Sequence, residues 1–180
     1  MEKIRHLEKG EIVNGAYHSV FVIIYSRRKN KICKTITREI PGLLTIFRSD
    51  GRLGFPGGRS ESKDLANVGI DMDSLKNTVI RETQEEIGYD ITQRDHLKFE
   101  SSTLIGKNQI TTFSYLVTDM ELNTIYREYT NIIGDSFNDD ELFGLNRLYF
   151  PNSSIKKNIL KQNFKPSARN DIEALLTAYF

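Results

Sequence analysis

The sequence has a single cysteine, almost no net charge and no long hydrophobic run. Cys33 cannot form an internal disulfide, so we expect a reducing compartment, the cytoplasm or the nucleus. The formal net charge of +1 argues against a general affinity for polyanions. No segment approaches the length that spans a membrane, and the first residues do not resemble a signal peptide. We therefore expect no membrane partner.

The composition is that of a globular chain. Of the 180 residues, 38% are hydrophobic and 27% are charged, and there are no repeats or low-complexity segments. A chain of this length can bury a sizeable core. We therefore predict one domain over residues 1–180.

β-branched and aromatic residues predict the strands, and 3.6-residue periodicity predicts the helices. The predicted strands cover 16–25, 43–47, 97–105, 109–118 and 144–150, and the predicted outer helices cover 120–129 and 167–180. The basic run 27–31 is interpreted as an exposed hairpin tip, with phosphate contact as the alternative. Strands on both sides of a central helix indicate an α+β fold, a mixed β-sheet sandwiched between α-helices.

The central helix is predicted to begin near Asp71 or Asp73 and to end at Gly88, which tolerates left-handed backbone. A Gly/Pro-rich turn, residues 54–58, precedes it. The predicted ends of the helix and the predicted turn each depend on a few neighbouring residues.

Three carboxylates share one face of this helix. Glu82, Glu85 and Glu86 stand at positions i, i+3 and i+4, so their like charges repel one another. A pair of glutamates usually marks only a solvated face, but three without matching Lys or Arg favour a hard cation such as Mg²⁺ or Mn²⁺. Such a cation removes the repulsion and can hold a diphosphate.

Gly58 and the run 81–89, RETQEEIGY, resemble the Nudix box, G-x5-E-x7-R-E-U-x-E-E-x-G-U, where U is a bulky aliphatic residue. The second half matches at every charged and glycine position, while Thr83 and Tyr89 occupy aliphatic sites. Counting back eight from Arg81 gives Asp73 where the family has Glu. Gly58 precedes Arg81 by 23 positions instead of fourteen, which places a nine-residue insertion within 60–71.

Three further segments, 47–58, 141–147 and 163–169, resemble the snoRNA-decapping and inosine diphosphatase branch of the Nudix family, the Nudix 16 type. The resemblance covers most of the chain in the right order. It implies a Nudix hydrolase that uses Mg²⁺ or Mn²⁺ and forms a homodimer. It also implies that Glu82 and Glu86 are the main metal ligands and that Glu85 shares metal binding or handles the water.

The same resemblance implies that His18, Arg48 and Phe55 line a nucleotide pocket. Arg48 can pair with phosphate, Phe55 can stack on a purine and His18 can contact a base. Taken alone, each has a plainer explanation: a core histidine, a surface charge or simple packing. Asp171 stands where the branch has an amide, and because an ionised carboxylate only accepts hydrogen bonds, it would favour guanine over hypoxanthine.

The resemblance implies hydrolysis of a phosphoanhydride in a purine nucleoside di- or triphosphate, of inosine, deoxyinosine or a related base, or in a 5′-capped RNA. The near-neutral charge gives only modest support for a track that binds RNA. The alternative function is a non-catalytic scaffold that binds RNA or protein. Arg81 is interpreted as an orienter of a ligand carboxylate or as a surface ion pair. The candidates for the general base are Glu85, Glu100 and the acidic run 139–141.

Overall fold

The computed structural model describes residues 4–31, 37–48, 50–64, 69–132, 142–149, 164 and 166–179. The acidic run 139–141 lies outside them. The chain divides into two compact units, one formed by Met1–Val22 and Pro56–Tyr115, the other by Ile23–Phe55 and Leu116–Phe180. A single domain over residues 1–180 stays a prediction.

The described residues form runs of strands separated by single helices, which agrees with the α+β prediction. The strands are β1 (Ile4–His6), β2 (Tyr17–Lys31), β3 (Thr37–Arg48), β4 (Leu53–Gly54), β5 (Gly57–Arg59), β6 (Lys98–Ile105), β7 (Asn108–Val117) and β8 (Leu142–Tyr149). The helices are α1 (Met72–Ile87), α2 (Asp119–Ile132) and α3 (Pro166–Tyr179), with short 3-10 turns at Ser62–Asp64 and Arg94–His96. Among the described helices, none is long and apolar enough to cross a membrane.

The first unit has the strand order β1-β6-β7-β2. The short strand β5 pairs antiparallel with the beginning of β2, with Val20 opposite Gly58. β6 and β7, predicted as strands 97–105 and 109–118, form an antiparallel hairpin in which Ile105 lies opposite Asn108. The core of this unit includes Val20, Leu75, Val79 and Phe113, all fully buried.

In the second unit, β3 pairs antiparallel with β2, β4 and β8. β2 extends to Lys31, so the basic run 27–31 forms the end of a strand in the β2–β3 hairpin and pairs with residues 37–41 instead of making the turn. Pro41 and Gly42, which directly precede the predicted strand 43–47, lie inside β3. A Cβ atom on Gly42 would lie 2.7 Å from Cε1 of Tyr149 and 2.8 Å from Oγ of Ser26. Gly42 therefore allows close packing and does not make a turn.

Helix α1 begins and ends as its sequence predicts. Asp71 is the N-cap, and its carboxylate accepts a hydrogen bond from the Ser74 backbone N–H at 2.7 Å. Gly88 ends the helix with φ +67°, and its N–H donates to the Gln84 carbonyl oxygen. These caps fix the register of the helix and therefore the positions of its carboxylates.

Candidate active site

Two of the predicted glutamates lie over the glycines of β5. The Gly57 N–H donates to Oε2 of Glu86 at 2.7 Å. A Cβ atom on Gly58 would lie 2.5 Å from the Glu82 carboxylate carbon. Gly57 has φ +140°, and a side chain there would collide with the Val20 carbonyl oxygen. The first two residues of β5 are glycines because this part of the strand passes between the backbone of β2 and the carboxylates of α1.

The Glu82 carboxylate is poorly hydrated. Burial raises its pKa, and the neighbouring Arg81 guanidinium opposes this rise. Arg81 Nη1 lies 2.7 Å from Oε1 of Glu82. A carboxylate that is only 15% exposed and has one cationic partner gains from a second cation, which is the electrostatic condition for a metal ligand.

Arg81 connects four groups of this site. Its Nε and Nη2 donate to the two carboxylate oxygens of Asp64 at 2.8 and 2.9 Å, a bidentate pair. Nη2 also donates to the Arg59 carbonyl oxygen at 3.1 Å, and Nη1 contacts Glu82 and Glu85. Only 15% of the Arg81 side chain is exposed. The bidentate partner of Arg81 is thus Asp64, and its role as an orienter of a ligand carboxylate stays a prediction that its single contacts with Glu82 and Glu85 allow.

Asp64 is a site residue that the sequence analysis missed. It is buried, and although burial alone would raise its pKa, hydrogen bonds from Arg81 and the Glu61 backbone N–H lower the pKa overall. Counting forward from Gly58, Asp64 occupies the first acidic position of the Nudix pattern. The count back from Arg81 led instead to Asp73, which is largely exposed and pairs with Arg94. The insertion therefore follows Asp64.

Glu85 forms ion pairs with two side chains, Lys63 and Arg81. Its two oxygens lie 3.3 Å from Nζ of Lys63 and 2.7 Å from Nη1 of Arg81, and about half of the side chain is exposed. Within the described ranges, no three His, Cys, Asp or Glu side chains are grouped to hold a metal ion. The carboxylate oxygens of Glu82 and Glu86 suit a hard cation, and Glu85 could join them by leaving Lys63.

Replacement of Lys63 by methionine should strengthen Mn²⁺ binding about threefold, because the ammonium group competes for Glu85 across an exposed ion pair. Isothermal titration calorimetry with Mn²⁺ measures the change. Lys63→Arg keeps the charge and is the matched control, which should bind Mn²⁺ like the unmodified protein. Equal affinity in all three proteins would show that Lys63 does not compete with the cation.

Comparison with known proteins identifies the family of this chain. The family model described as Nudt16-like, U8 snoRNA-decapping enzyme-like, matches residues 18–177. The chain belongs to this family. The predicted family is therefore confirmed, while the activity of this chain is a matter for proposal.

The Nudt16-like chain has a curated relative in Xenopus laevis, the U8 snoRNA-decapping enzyme, with 25% identity over 142 residues. The match covers 76% of this chain and 61% of the relative, so the chain spans less than two thirds of the relative's length.

Solved structures with this fold are more distant in sequence. A mutT/nudix family protein from Listeria innocua has a TM-score of 0.50 at 12% identity, and the match covers 93% of this chain and 95% of the other. The NUDIX domain of Shewanella oneidensis NrtR, complexed with ADP ribose, has a TM-score of 0.54 at 11% identity, with 93% and 91% covered. The Bacillus subtilis pyrophosphohydrolase BsRppH has a TM-score of 0.53 at 14% identity, with 99% and 93% covered. The predicted Nudix fold, α+β with a mixed sheet, is confirmed.

His18 belongs to the same unit as the carboxylates of this Nudt16-like chain. It is 4% exposed, and its Nδ1 has no hydrogen-bond partner among the described residues. Burial lowers the pKa of His18, and the Val13 backbone opposes this shift, so the ring is neutral at pH 7. A neutral ring with an unused nitrogen can form one hydrogen bond with a ligand.

Arg48, Phe55 and Asp171 belong to the second unit. Arg48 ends β3 at a turn in which its N–H donates to the Arg52 carbonyl oxygen at 2.9 Å. Its Nε is buried without a partner in the described part of the chain. Asp171 is a partly exposed residue of α3.

The Phe55 ring is already in contact with another ring. It is 3% exposed and stacks on Phe164 with ring centroids 5.9 Å apart and an angle of 28° between the planes. A purine could stack on this face only by replacing Phe164. The predicted role of Phe55 stays a prediction, and the observed packing agrees with the plainer explanation given for it.

Proposed function

We propose that this chain is a metal-dependent Nudix pyrophosphohydrolase that cleaves a phosphoanhydride bond in a purine nucleotide or a capped RNA. The observation that supports the proposal most strongly is the placement of Glu82 and Glu86 over the glycines of β5, with Arg81 fixed by Asp64. Such a preorganised set of carboxylates is costly for a structural helix face. It suits a site that receives a cation together with a diphosphate.

Glu82 and Glu86 would hold Mg²⁺ or Mn²⁺, with Glu85 as a further ligand or as the group that orients the water. A bound divalent cation would neutralise charge on the phosphate oxygens and lower the pKa of a coordinated water. Arg81 keeps Glu82 and Glu85 in position through Nη1. The β5 backbone supports Glu86 through the Gly57 N–H. These contacts supply the positioning that phosphoryl transfer depends on.

Glu85 and Glu100 remain the described candidates for the general base. Glu85 accepts a hydrogen bond from Nη1 of Arg81 at 2.7 Å, which holds one of its oxygens in place and leaves acceptor capacity on the carboxylate. Glu100 accepts a hydrogen bond from the Ser114 hydroxyl, which occupies part of its acceptor capacity. We favour Glu85 for this role because it is the more exposed group and can reach a bound water.

The substrate would be a nucleoside di- or triphosphate with inosine, deoxyinosine or a related purine, or a capped 5′ end. The unused nitrogens of His18 and Arg48 are suited to a base and a phosphate, respectively. The name of the Xenopus laevis relative supports the capped RNA. We further propose a homodimer, located in the cytoplasm or the nucleus.

A substrate panel tests the proposal. Inosine, xanthosine, guanosine and adenosine di- and triphosphates and a capped RNA are incubated with the protein and Mg²⁺, and the products are separated by anion-exchange chromatography. We expect purine nucleotides or the cap to be cleaved between phosphates. Binding of RNA without cleavage of any substrate would instead identify the non-catalytic scaffold.

Asp171→Asn should change the choice of base. An ionised Asp171 can only accept hydrogen bonds and so favours the N–H donors of guanine, whereas an amide also donates. We expect the guanosine-to-inosine ratio of kcat/KM for the diphosphates to fall about tenfold in the variant, the size of one discriminating hydrogen bond. Asp95→Asn, at an exposed aspartate of the other unit, is the control. A ratio near one in the unmodified protein, unchanged by Asp171→Asn, would refute this role.

A further inference from the structure

Residues 59–64, which we call the docked segment, are held against α1 by side chains of the helix. Nη2 of Arg81 donates to the Arg59 carbonyl oxygen at 3.1 Å, and the Arg81 fork pairs with the Asp64 carboxylate. Thr78 stands three positions before Arg81, so the two side chains project from the same side of the helix. The docked segment and α1 belong to the same compact unit. Thr78 therefore reaches the docked segment beside Arg81.

Thr78 contributes a hydroxyl group that is fully buried beneath the docked segment. Its Oγ1 lies 2.9 Å from Oγ of Ser60, 3.1 Å from Oδ2 of Asp64 and 3.2 Å from the Ser74 carbonyl oxygen. A hydroxyl has one proton, so it donates to one of these acceptors at a time. The Asp64 carboxylate, the ion-pair partner of Arg81, is the strongest of the three, because a charge-assisted hydrogen bond is stronger than a neutral one.

Thr78 fixes the Asp64 carboxylate in a way that Arg81 alone does not. The Arg81 side chain is long and has several rotatable bonds, so Arg81 and its carboxylate partner could shift together. Thr78 is short, and its branched side chain is stiff at χ1. Its hydroxyl contacts Oδ2 of Asp64, to which the Glu61 N–H also donates at 2.8 Å. The carboxylate is thus held at a set distance from the helix backbone.

The insertion after Asp64 increases the need for such a contact. Arg81 follows Asp64 by 17 positions instead of the eight of the Nudix pattern. A chain connection of about twice the length makes closure about threefold less probable. The connection by itself therefore holds Asp64 against α1 less firmly than the usual spacing would, and side-chain contacts have to supply the difference.

We propose that Thr78 is a positioning residue for the metal-binding carboxylates. Its hydroxyl holds Asp64 against α1, and Asp64 holds the Arg81 fork. Nη1 of Arg81 then holds Glu82 and Glu85, each at 2.7 Å. Thr78 acts only through these groups, because it is buried and contacts neither the cation nor the substrate. This role rests on the proposed function, since it concerns the same carboxylates.

The test compares Thr78→Val, which keeps the branched shape and removes the hydroxyl, with Thr78→Ser, which keeps the hydroxyl. Mn²⁺ affinity is measured by isothermal titration calorimetry, and exchange of the Glu61 amide hydrogen by NMR. Because the Glu61 N–H donates to the same oxygen of Asp64 as Thr78 does, its exchange reports whether Asp64 stays in place.

In Thr78→Val we expect about fivefold weaker Mn²⁺ binding, below the roughly 10- to 100-fold loss typical of a group that contacts a metal ligand directly. Exchange of the Glu61 amide should be about tenfold faster, because its acceptor is held less firmly. Thr78→Ser should keep both values within about twofold of the unmodified protein, because it retains the donor. A purely structural role of Thr78 would leave the Mn²⁺ affinity of the folded protein unchanged.

Thr83→Val is the matched control. Thr83 is fully buried in the same helix, but its hydroxyl donates to the Val79 carbonyl oxygen of the helix itself at 2.7 Å. The substitution therefore makes the same chemical change at a hydroxyl that bonds within the helix. We expect its Mn²⁺ affinity to stay within about twofold of the unmodified protein. If Thr78→Val does not fold, Thr78→Cys, whose thiol is a weak donor, should weaken Mn²⁺ binding in the same direction.

Equal Mn²⁺ affinity in Thr78→Val and the unmodified protein would overturn the proposal, whatever happens to the Glu61 amide. Equal losses in Thr78→Val and Thr83→Val would overturn it as well, since they would reflect the loss of any buried hydroxyl. Mn²⁺ binding that depends on Thr78, in a protein that cleaves no member of the substrate panel, would refute the proposed function and leave this role intact. The two proposals can therefore fail separately.

Discussion

Replacement of Glu86 by glutamine should lower kcat by about two to three orders of magnitude, the loss typical when a preorganised electrostatic group is removed from a transition state. The fold should survive, because the amide oxygen of glutamine can still accept the hydrogen bond from Gly57. Steady-state hydrolysis of the best nucleotide and a thermal melt followed by circular dichroism measure the two effects.

Glu11→Gln provides the matched control for Glu86→Gln. It makes the same chemical change in the same unit, at an exposed side chain whose ion pair with Arg5 lies outside the candidate active site. We expect its kcat to match that of the unmodified protein. A fully active Glu86→Gln variant would reject the assignment of Glu86 as a metal ligand.

Replacement of Asp64 by asparagine should destabilise the protein by about 3 kcal/mol, the range found when one partner of a buried ion pair is removed. Asp64 is nearly inaccessible to solvent, and Arg81 would lose the only bidentate partner that the described residues give it. Urea unfolding at pH 7 measures the change. A fall in kcat/KM should accompany it, because Arg81 would hold Glu82 and Glu85 less firmly.

Asp73→Asn tests which residue occupies the first acidic position of the Nudix pattern, Asp64 or Asp73. Asp73 is about 70% exposed and makes one ion pair with Arg94, so the substitution should change stability by less than about 1 kcal/mol. A larger loss for Asp73→Asn than for Asp64→Asn would mean that Asp73, and not Asp64, supports Arg81. The measured order of the two variants therefore decides which acid belongs to the site.

The most predictable part of this chain is the helix that holds the carboxylates. Its cap at Asp71, its stop at Gly88 and the shared face of Glu82 and Glu86 depend on residues a few positions apart. Interactions of that range follow from helix geometry alone. The outer helices and the β6–β7 hairpin were predictable for the same reason, with ends that differ by a few residues.

Contacts between distant residues were not predictable in this way. The insertion after Asp64 moves the acid away from its usual spacing, and only the folded chain shows that Asp64, rather than Asp73, meets Arg81. The use of Gly42 as a space for Tyr149 depends on a pairing of strands more than a hundred residues apart. The predicted strand 43–47 began after Pro41 and Gly42, because both residues disfavour strands, and tertiary packing overrode that preference.

The candidate site shows the same division between local and distant information. The three glutamates could be named from their spacing, but the ion pair of Glu85 with Lys63 could not, since Lys63 stands before the insertion. Phe55 was predicted to stack on a base because the resemblance to the Nudix 16 type places it in a nucleotide pocket. In the fold it stacks on Phe164, a residue whose distance along the chain gives no hint of contact.

The dependence of hydrolysis on a divalent cation tests the central claim most directly. The initial rate on the best substrate of the panel is measured with Mg²⁺, after addition of EDTA, and after excess Mg²⁺ is restored, for the unmodified protein and for Glu82→Gln, Glu86→Gln. The account predicts a rate that EDTA abolishes and Mg²⁺ restores in the unmodified protein, and no comparable rate in the double variant. An equal rate with EDTA, or full activity without the two carboxylates, would contradict it.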